Sequence, residues 1–530
     1  MELNERPSCY SVYVLVVLVL VFLFNQLDRY ILVTTNASMA QELKYGDRVC
    51  IPSNATAIQA ILDTQGENIT PDAYCANTPA LCDPQEGHAI LCGWKYLGTG
   101  IEYQMLAGPV FILFFTFAGV PLGITAEITR MNRTLFLSVI LMLWSLMTVL
   151  TGLAQAYWHI AICRILLGLF EAGCTPFAVS ILSEYFTKDY RGVALGIYNL
   201  GIYAGYGFSF LANIIDRTSG WRTVYYIAGS PGIAIALLLY LTVKEPQRNK
   251  LFDYVDVDKT GLEKNSIDNH EGTGERKTAT WKFLTAMKFF VNPVLMCLCI
   301  GGAIRQGGGY TWAYNIKNYF DHYFPSVKTE DFMTWIPTVF GAGGAVVGGM
   351  ISDRLASKSG ITSRLKVLVL SQVVAAPFAV LTLYVDPPFA FIMQIPAFFI
   401  GDMWIGVCLA VVIDLTPPQL RTSAVAIYMF IITAIGGNLL LLLPSLSTAM
   451  NDMRGALVVL YPTLFGASAV AFLVTIFVFW NIQRKKMKVV QERTPLILNI
   501  EEDTTVSNES LHNLVDTSEE KYLSLEAYGY

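Results

Sequence analysis

About a dozen apolar runs, each long enough to cross a bilayer, constrain this chain more than any other feature. A spanning helix needs about 20 mostly apolar residues. Such runs lie at about 10–38, 103–126, 134–154, 157–182, 192–214, 222–243, 289–318, 331–352, 365–384, 388–413, 422–446 and 456–480. Only 15% of the 530 residues are charged, against about 25% in an average soluble domain. A signal peptide does not explain the first run, because no small-residue cleavage site follows it and further runs come downstream. The expected fold class is all-α integral membrane, with about twelve transmembrane helices in two six-helix, pseudo-symmetric bundles.

Charge in the connecting loops orients these helices. Alternate loops read "EITRMNRT", "TKDYRG", "KEPQRNK", "SDRLASKSGITSRLK" and "RKKMK". Their Lys and Arg belong in the cytoplasm under the positive-inside rule, which puts both termini there. The intervening "AQAYWH" and "YVDPP" carry neither Lys nor Arg, whereas "DRTSGWR" and the 44–95 loop are exceptions. The chain then divides into a first bundle (1–243) with an extended luminal loop (41–100), a cytoplasmic linker (244–288), a second bundle (289–480) and a disordered cytoplasmic tail (481–530).

The 41–100 loop holds Cys50, Cys75, Cys82 and Cys92. An even set in an oxidising compartment suggests two disulfides, and four cysteines leave three pairings open. "NAT" at Asn54 and "NIT" at Asn68 are N-glycosylation acceptors on the same loop. The other six of the 10 cysteines sit mostly in apolar spans and read as packing, and nothing has a zinc spacing. In the tail, "ERTPLI" resembles an acidic dileucine signal read by sorting adaptors, with Glu492, Leu496 and Ile497 as its residues.

The halves echo one another. "GVPLGITAEITRMNR" and "GAVVGGMISDRLASK" each place an acid four residues after a glycine, Gly123 to Glu127 and Gly349 to Asp353. "TKDYRGVALGIY" and "PQLRTSAVAIY" place Arg191 and Arg421 each seven residues before a Tyr. Glycine would let helices approach closely. The acids would pair with neighbouring arginines (Arg130, Arg133, Arg354) when that side closes, biasing a two-state equilibrium. The plainer reading is that these charges anchor helix ends at the headgroups.

With these residues in place the chain resembles the major facilitator superfamily, whose loop signature, roughly G-x-x-x-D-R-x-x-R, is approached at Gly123, Glu127, Arg130 and Arg133, with Glu in place of Asp and Ile128 and Thr129 standing between the acid and the first Arg. Within it, "LDRY" (Leu27 to Tyr30) and "RILLGLFEAG" (Arg164 to Gly173) look most like the Spinster group of lysolipid and sphingolipid transporters. That resemblance implies proton coupling and substrate binding at Asp28, Arg164 and Glu171. Two departures stand out, the long Cys-bearing loop and an Arg305 in the seventh helix. Anion transporters of the superfamily also use a fourth-helix Arg.

Ionisable residues inside apolar spans are costly and mark function by default. Arg164, Gly168 and Glu171 share one helical face, as do Asn25, Asp28 and Arg29. An acid moving between a desolvated and an arginine-rich environment would load and release a proton. A static Arg164–Glu171 pair locking helices together is the plainer alternative. Arg305, Gly309 and Trp312 repeat the pattern in the seventh helix, where Arg305 suits a phosphate or carboxylate headgroup and Tyr310 and Trp312 suit an acyl chain. Asp402 is the second-half acid expected to join the coupling, unless it is a helix-end residue nearer the luminal surface.

The expected function is secondary active, proton-coupled transport of a lysolipid- or sphingoid-like amphiphile by alternating access. The alternatives are transport of a small organic anion or sugar, and a non-transporting receptor or trafficking partner on the same fold. An enzyme is not expected, since no nucleotide-binding glycine loop, HExxH or GxSxG stands in a soluble segment. No cofactor or metal is implied. The expected partners are the bilayer, protons, a small-molecule or lipid substrate and sorting adaptors. Nucleic acid is not an expected partner, since the net charge is −5 and the basic clusters fit membrane flanks. The tail motif points to a lysosomal or late endosomal membrane, with the plasma membrane as the other home.

Overall fold

The computed structural model describes residues 8–65, 69–83, 91–128, 131–186, 188–246, 291–416 and 421–503. Twelve long helical stretches are numbered here α1 to α12. The first six are α1 (Cys9–Leu43), α2 (Pro109–Ile128), α3 (Arg133–Thr151), α4a (Tyr157–Glu171) with α4b (Cys174–Tyr185), α5 (Lys188–Ser209) and α6 (Trp221–Thr242). The second six are α7 (Pro293–Tyr323), α8 (Ala342–Ser359), α9 (Ile361–Tyr384), α10a (Phe389–Gly401) with α10b (Trp404–Leu415), α11 (Arg421–Gly436) and α12 (Pro462–Asp503). Ten of these stretches are apolar throughout a membrane-length window. The two others, α5 and α7, are 22 and 31 residues long, and they carry polar and small residues because they face the interior.

Each six-helix group packs on itself: α1 on α5 and α6, α3 on α6, α7 on α11 and α12, α9 on α10 and α12. The outer surface is apolar, with Leu241 75% and Phe477 63% exposed. Only a hydrocarbon solvent makes such a surface stable.

Internal pseudo-symmetry is visible atom by atom. A Cβ on Gly205 of α5 would lie 2.5 Å from the Leu23 carbonyl of α1, and one on Gly436 of α11 would lie 2.4 Å from the Ala303 carbonyl of α7. In both halves the neighbour after that carbonyl is a glutamine Cβ, Gln26 or Gln306. Here glycine permits backbone-to-backbone contact between equivalent helix pairs. The tyrosines seven residues beyond Arg191 and Arg421 repeat too: Tyr198 and Tyr428 are fully buried, packed in the same clusters as Cys174 and Cys408.

Between α1 and α2 stands a small cap. Strand β1 (Arg48–Pro52) pairs antiparallel with β2 (Cys92–Tyr96), Arg48 opposite Tyr96. Disulfides Cys50–Cys82 and Cys75–Cys92 cross a core that otherwise holds Ile58 and Leu62. The cap is tied to α1, where Gln41 accepts from Tyr96 N at 2.7 Å and Asn36 donates to the Gly98 carbonyl. Asn54 is exposed, its Oδ1 capping the helix Ala55–Gln65 through Ala57 N at 3.1 Å. Asn68 lies outside the described residues.

Candidate functional site

A cavity of about 740 Å³ lies between the two groups of helices. It reaches the side away from the cap, where Gly123, Ser183 and Glu184 line its mouth. On the cap side it is closed. The Gln104 amide donates to Asn315 Oδ1 at 2.7 Å, and the Tyr103 hydroxyl donates to the Tyr314 carbonyl. Farther out, Glu330 accepts from Asn213 Nδ2 and from Arg217 Nη1, both at 2.7 Å. All four contacts join the first half to the second.

The walls are apolar and aromatic, and two arginines interrupt them from opposite halves, Arg29 of α1 and Arg305 of α7. Each is paired with a carboxylate where a helix breaks. Helix α4 pauses after Glu171 and resumes at Cys174, and α10 pauses after Gly401 and resumes at Trp404. Arg29 Nη2 meets Glu171 Oε2 at 3.3 Å, and Arg305 Nη2 meets Asp402 Oδ1 at 3.1 Å. The device recurs without its register. Gln26 corresponds to Gln306 in the paired glycine contacts, so Arg305 stands where the first half has Asn25, one turn from Arg29.

The surroundings of the two pairs differ. Arg29 lies against the rings of Phe115 and Phe111, 4.4 and 4.9 Å from their centroids, an attractive arrangement for a cation. Glu171 is fully buried and Asp402 is 20% exposed to the cavity. Arg164 does not pair with Glu171; its Nη1 donates to the Arg29 carbonyl at 3.2 Å, fastening α4a to α1. A locked Arg164–Glu171 pair is therefore not what the fold contains: both residues lie on one face, but the guanidinium reaches the α1 backbone instead. Asp28 is buried beside Arg164 and Thr148, outside the cavity wall, while its neighbours Asn25 and Arg29 line it. Tyr310 and Trp312 also line it, Trp312 stacked on Tyr461 at 4.8 Å.

The loop-motif residues serve mostly within their own halves. Arg133 Nε donates to Glu245 at 2.7 Å and Nη1 to Ser180 Oγ at 2.9 Å, joining the ends of α3, α6 and α4b. Asp353 does not take Arg354 but Arg364, at 2.5 Å, and Arg364 Nε also reaches Asp414 at 2.7 Å. Arg354 itself is exposed. Gly123 and Gly349 do not bring helices together either. A Cβ on Gly123 would find Pro176 only at 4.0 Å, and one on Gly349 would find nothing within 4 Å. The Arg130 position, and the side chains of Glu127, Arg191, Arg421, Glu492, Leu496 and Ile497, lie outside what is described. Glu330, Arg217, Gln104, Asn315, Arg364 and Gln372 carry no motif, and only their polarity in or beside apolar spans marks them.

Comparison with known proteins matches this geometry. The family model described as Major Facilitator Superfamily matches residues 18–440. A probable galactarate/D-glucarate transporter of Bacillus subtilis is 24% identical over 55% of this chain and 66% of its own length. The sphingosine-1-phosphate transporter SPNS2 of Danio rerio is 28% identical over 29% of this chain and 31% of its own. This chain thus spans less than two thirds of either relative. A crystal structure of a bacterial homolog to the human lysosomal transporter Spinster, inward-facing and unoccupied, superposes with a TM-score of 0.60 at 19% identity, covering 91% of this chain and 99% of that one. The long apolar helices, the doubled six-helix plan and the family match converge: the chain belongs to the Major Facilitator Superfamily.

Proposed function

We propose that this chain is a secondary active transporter that moves an amphiphile by alternating access, coupled to protons. One observation carries the reading: a mostly apolar cavity between the halves, open away from the cap and sealed beside it, with ion-paired arginines on both walls. An apolar tail suits the aromatic lining, and a charged head suits Arg305 with Tyr310 and Trp312 nearby. A lysolipid- or sphingoid-like molecule has both parts. Asp28, Arg29, Arg164 and Glu171 form the coupling group, with Asp402 its second-half counterpart. Loading a proton on Glu171 would release Arg29, and opening toward water would return it. The relative named for sphingosine-1-phosphate supports a lipid cargo.

A second reading has its own support. Two arginines facing one cavity also suit a small organic anion, and another relative is named for sugar acids. Uptake into proteoliposomes of a panel of lysolipids, sphingoids and sugar acids, under two pH gradients, separates the readings. Gradient-driven uptake of an amphiphile is expected, and it should be lost in both Asp28→Asn and Glu171→Gln. Uptake that survives both substitutions overturns the coupling role. An intact fold with neither flux nor substrate-dependent stabilisation would favour a non-transporting receptor or trafficking partner.

The Lys- and Arg-rich loops support a cytoplasmic side opposite the cap, with both termini there and the disulfide cap in the lumen or outside. In that orientation the cavity faces the cytoplasm. The Glu492, Leu496 and Ile497 motif in the C-terminal part of α12 supports residence in lysosomes or late endosomes.

A further inference from the structure

The two arginine–carboxylate pairs are alike in plan and unlike in how the arginine is held. In the first half Arg29 Nε and Glu171 Oε1 have no hydrogen-bond partner among the described residues. In the second half the guanidinium is gripped. Arg305 Nε donates to Gln372 Oε1 at 2.6 Å, and Nη2 donates to the Gly401 carbonyl at 2.8 Å as well as to Asp402. Gln372 is fully buried on α9, and its Nε2 donates to the same Gly401 carbonyl at 3.2 Å and to Ser371 Oγ at 3.1 Å. The Phe465 ring lies 3.9 Å below the guanidinium. The helix break explains the shared carbonyl. At the end of α10a the Phe398 and Ile400 oxygens take the Asp402 and Met403 N–H groups, whereas the Gly401 oxygen takes its donors from side chains.

This grip has a chemical consequence. A neutral amide orients a guanidinium without cancelling its charge. A carboxylate at the same place would neutralise it, and an apolar side chain would leave buried Nε unsatisfied. With Nε fixed, the Nη edge is the part left to exchange partners. Nη1 lies over the bare backbone of Gly309, 3.0 Å from where a Cβ would stand, and both residues line the cavity. Asp402, partly open to the same cavity, is the partner that can be displaced.

We propose that Gln372 is the positioning residue of an anion half-site at the α10 break, aiming the Nη edge of Arg305 at the phosphate or carboxylate head of an amphiphile that takes the place of Asp402. The inference rests on the transport reading above and refines it at one residue, moving Asp402 from coupling to recognition: the loosely held Arg29–Glu171 pair couples, and the gripped Arg305–Asp402 pair recognises. Selectivity between charged and uncharged heads then depends on a side chain that never touches the cargo.

Equilibrium binding to the full chain in lipid nanodiscs tests this with three probes of equal chain length: a lysophosphatidic acid, a fatty acid and a monoacylglycerol. The wild type is expected to prefer at least one anionic probe to the neutral one, and which anion it prefers tells phosphate from carboxylate. Gln372→Glu and Gln372→Leu should each weaken the preferred anion about tenfold or more, the range for a hydrogen bond to a charged group. Affinity for the monoacylglycerol should stay unchanged, which also reports an intact fold. An unchanged anion-to-neutral ratio in both variants overturns the proposal, as does an equal loss for all three probes. A wild type that binds the probes without preferring an anion removes the half-site and leaves the transport reading standing. A wild type that binds none of them removes the amphiphile reading and this inference together.

Discussion

Arg133 and Arg354 belong to the same loop signature in the two halves, yet their surroundings assign them opposite weights. Arg133 has a side chain only 2% exposed and holds Glu245, Ser180 and the Pro246 carbonyl together. Removing one partner of a buried ion pair leaves the other uncompensated, at a cost of about 3–5 kcal/mol. Glu245 is partly solvated, so Arg133→Ala is expected at the low end, about 3 kcal/mol, measured as thermal stability in detergent. Arg354 is exposed, and Arg354→Ala should change stability by no more than about 0.5 kcal/mol. Equal effects would mean that the signature, and not the local packing, sets the importance of these residues. At this scale the sequence shows which residues are unusual without showing their partners. Glu171 meets an arginine 142 positions away and Asp353 one 11 positions ahead.

At the level of elements, glycines govern how closely equivalent helices approach. Ala at Gly205 or Gly436 would press a Cβ against the backbone of the neighbouring helix, and overpacking of this kind costs about 1–3 kcal/mol. Gly466→Ala, with nothing within 4 Å of the new Cβ, is the control. It should be neutral or slightly stabilising, because Ala is the better helix former by about 1 kcal/mol. The three thermal unfolding curves decide the point, and a Gly205→Ala curve that matches the control would refute it. The cap behaves as a separate element, because a core of this size cannot stand without its crosslinks. Replacing Cys75 and Cys92 by Ser should cost the cap about 2–5 kcal/mol and expose 48–96 to limited proteolysis. The spanning helices should keep their melting temperature. A cap that resists protease after the change would show that its attachment to α1 suffices.

For the whole molecule, the cap-side seal closes one end of the cavity between the halves. Its outer layer is one carboxylate, Glu330, shared between Asn213 and Arg217, and its inner layer is the Gln104–Asn315 amide pair. Spin labels at exposed Ser219 and Lys328 report the separation of the two halves there. Glu330→Ala should shift the distance distribution toward longer separations, while the paired exchange R217E/E330R should return part of the population to the short one. A bias of about 1.4 kcal/mol corresponds to a tenfold change in the ratio of closed to open. An unchanged distribution in Glu330→Ala would place the seal in its inner layer alone.

Hydropathy, loop charge and doubled motifs by themselves determined the class of fold, the number of helices and the pseudo-symmetry, because a bilayer leaves a chain of this composition few alternatives. They also singled out Asp28, Arg29, Arg164, Glu171, Arg305 and Asp402, since a charge inside an apolar run is conspicuous whatever its partners. Tertiary structure decided the pairing: Arg29 rather than Arg164 for Glu171, Arg364 rather than Arg354 for Asp353, and Gln372 for Arg305. Those choices depend on how helices rotate and where α4 and α10 break, and side chains brought together by such crossings leave no periodic trace in the sequence.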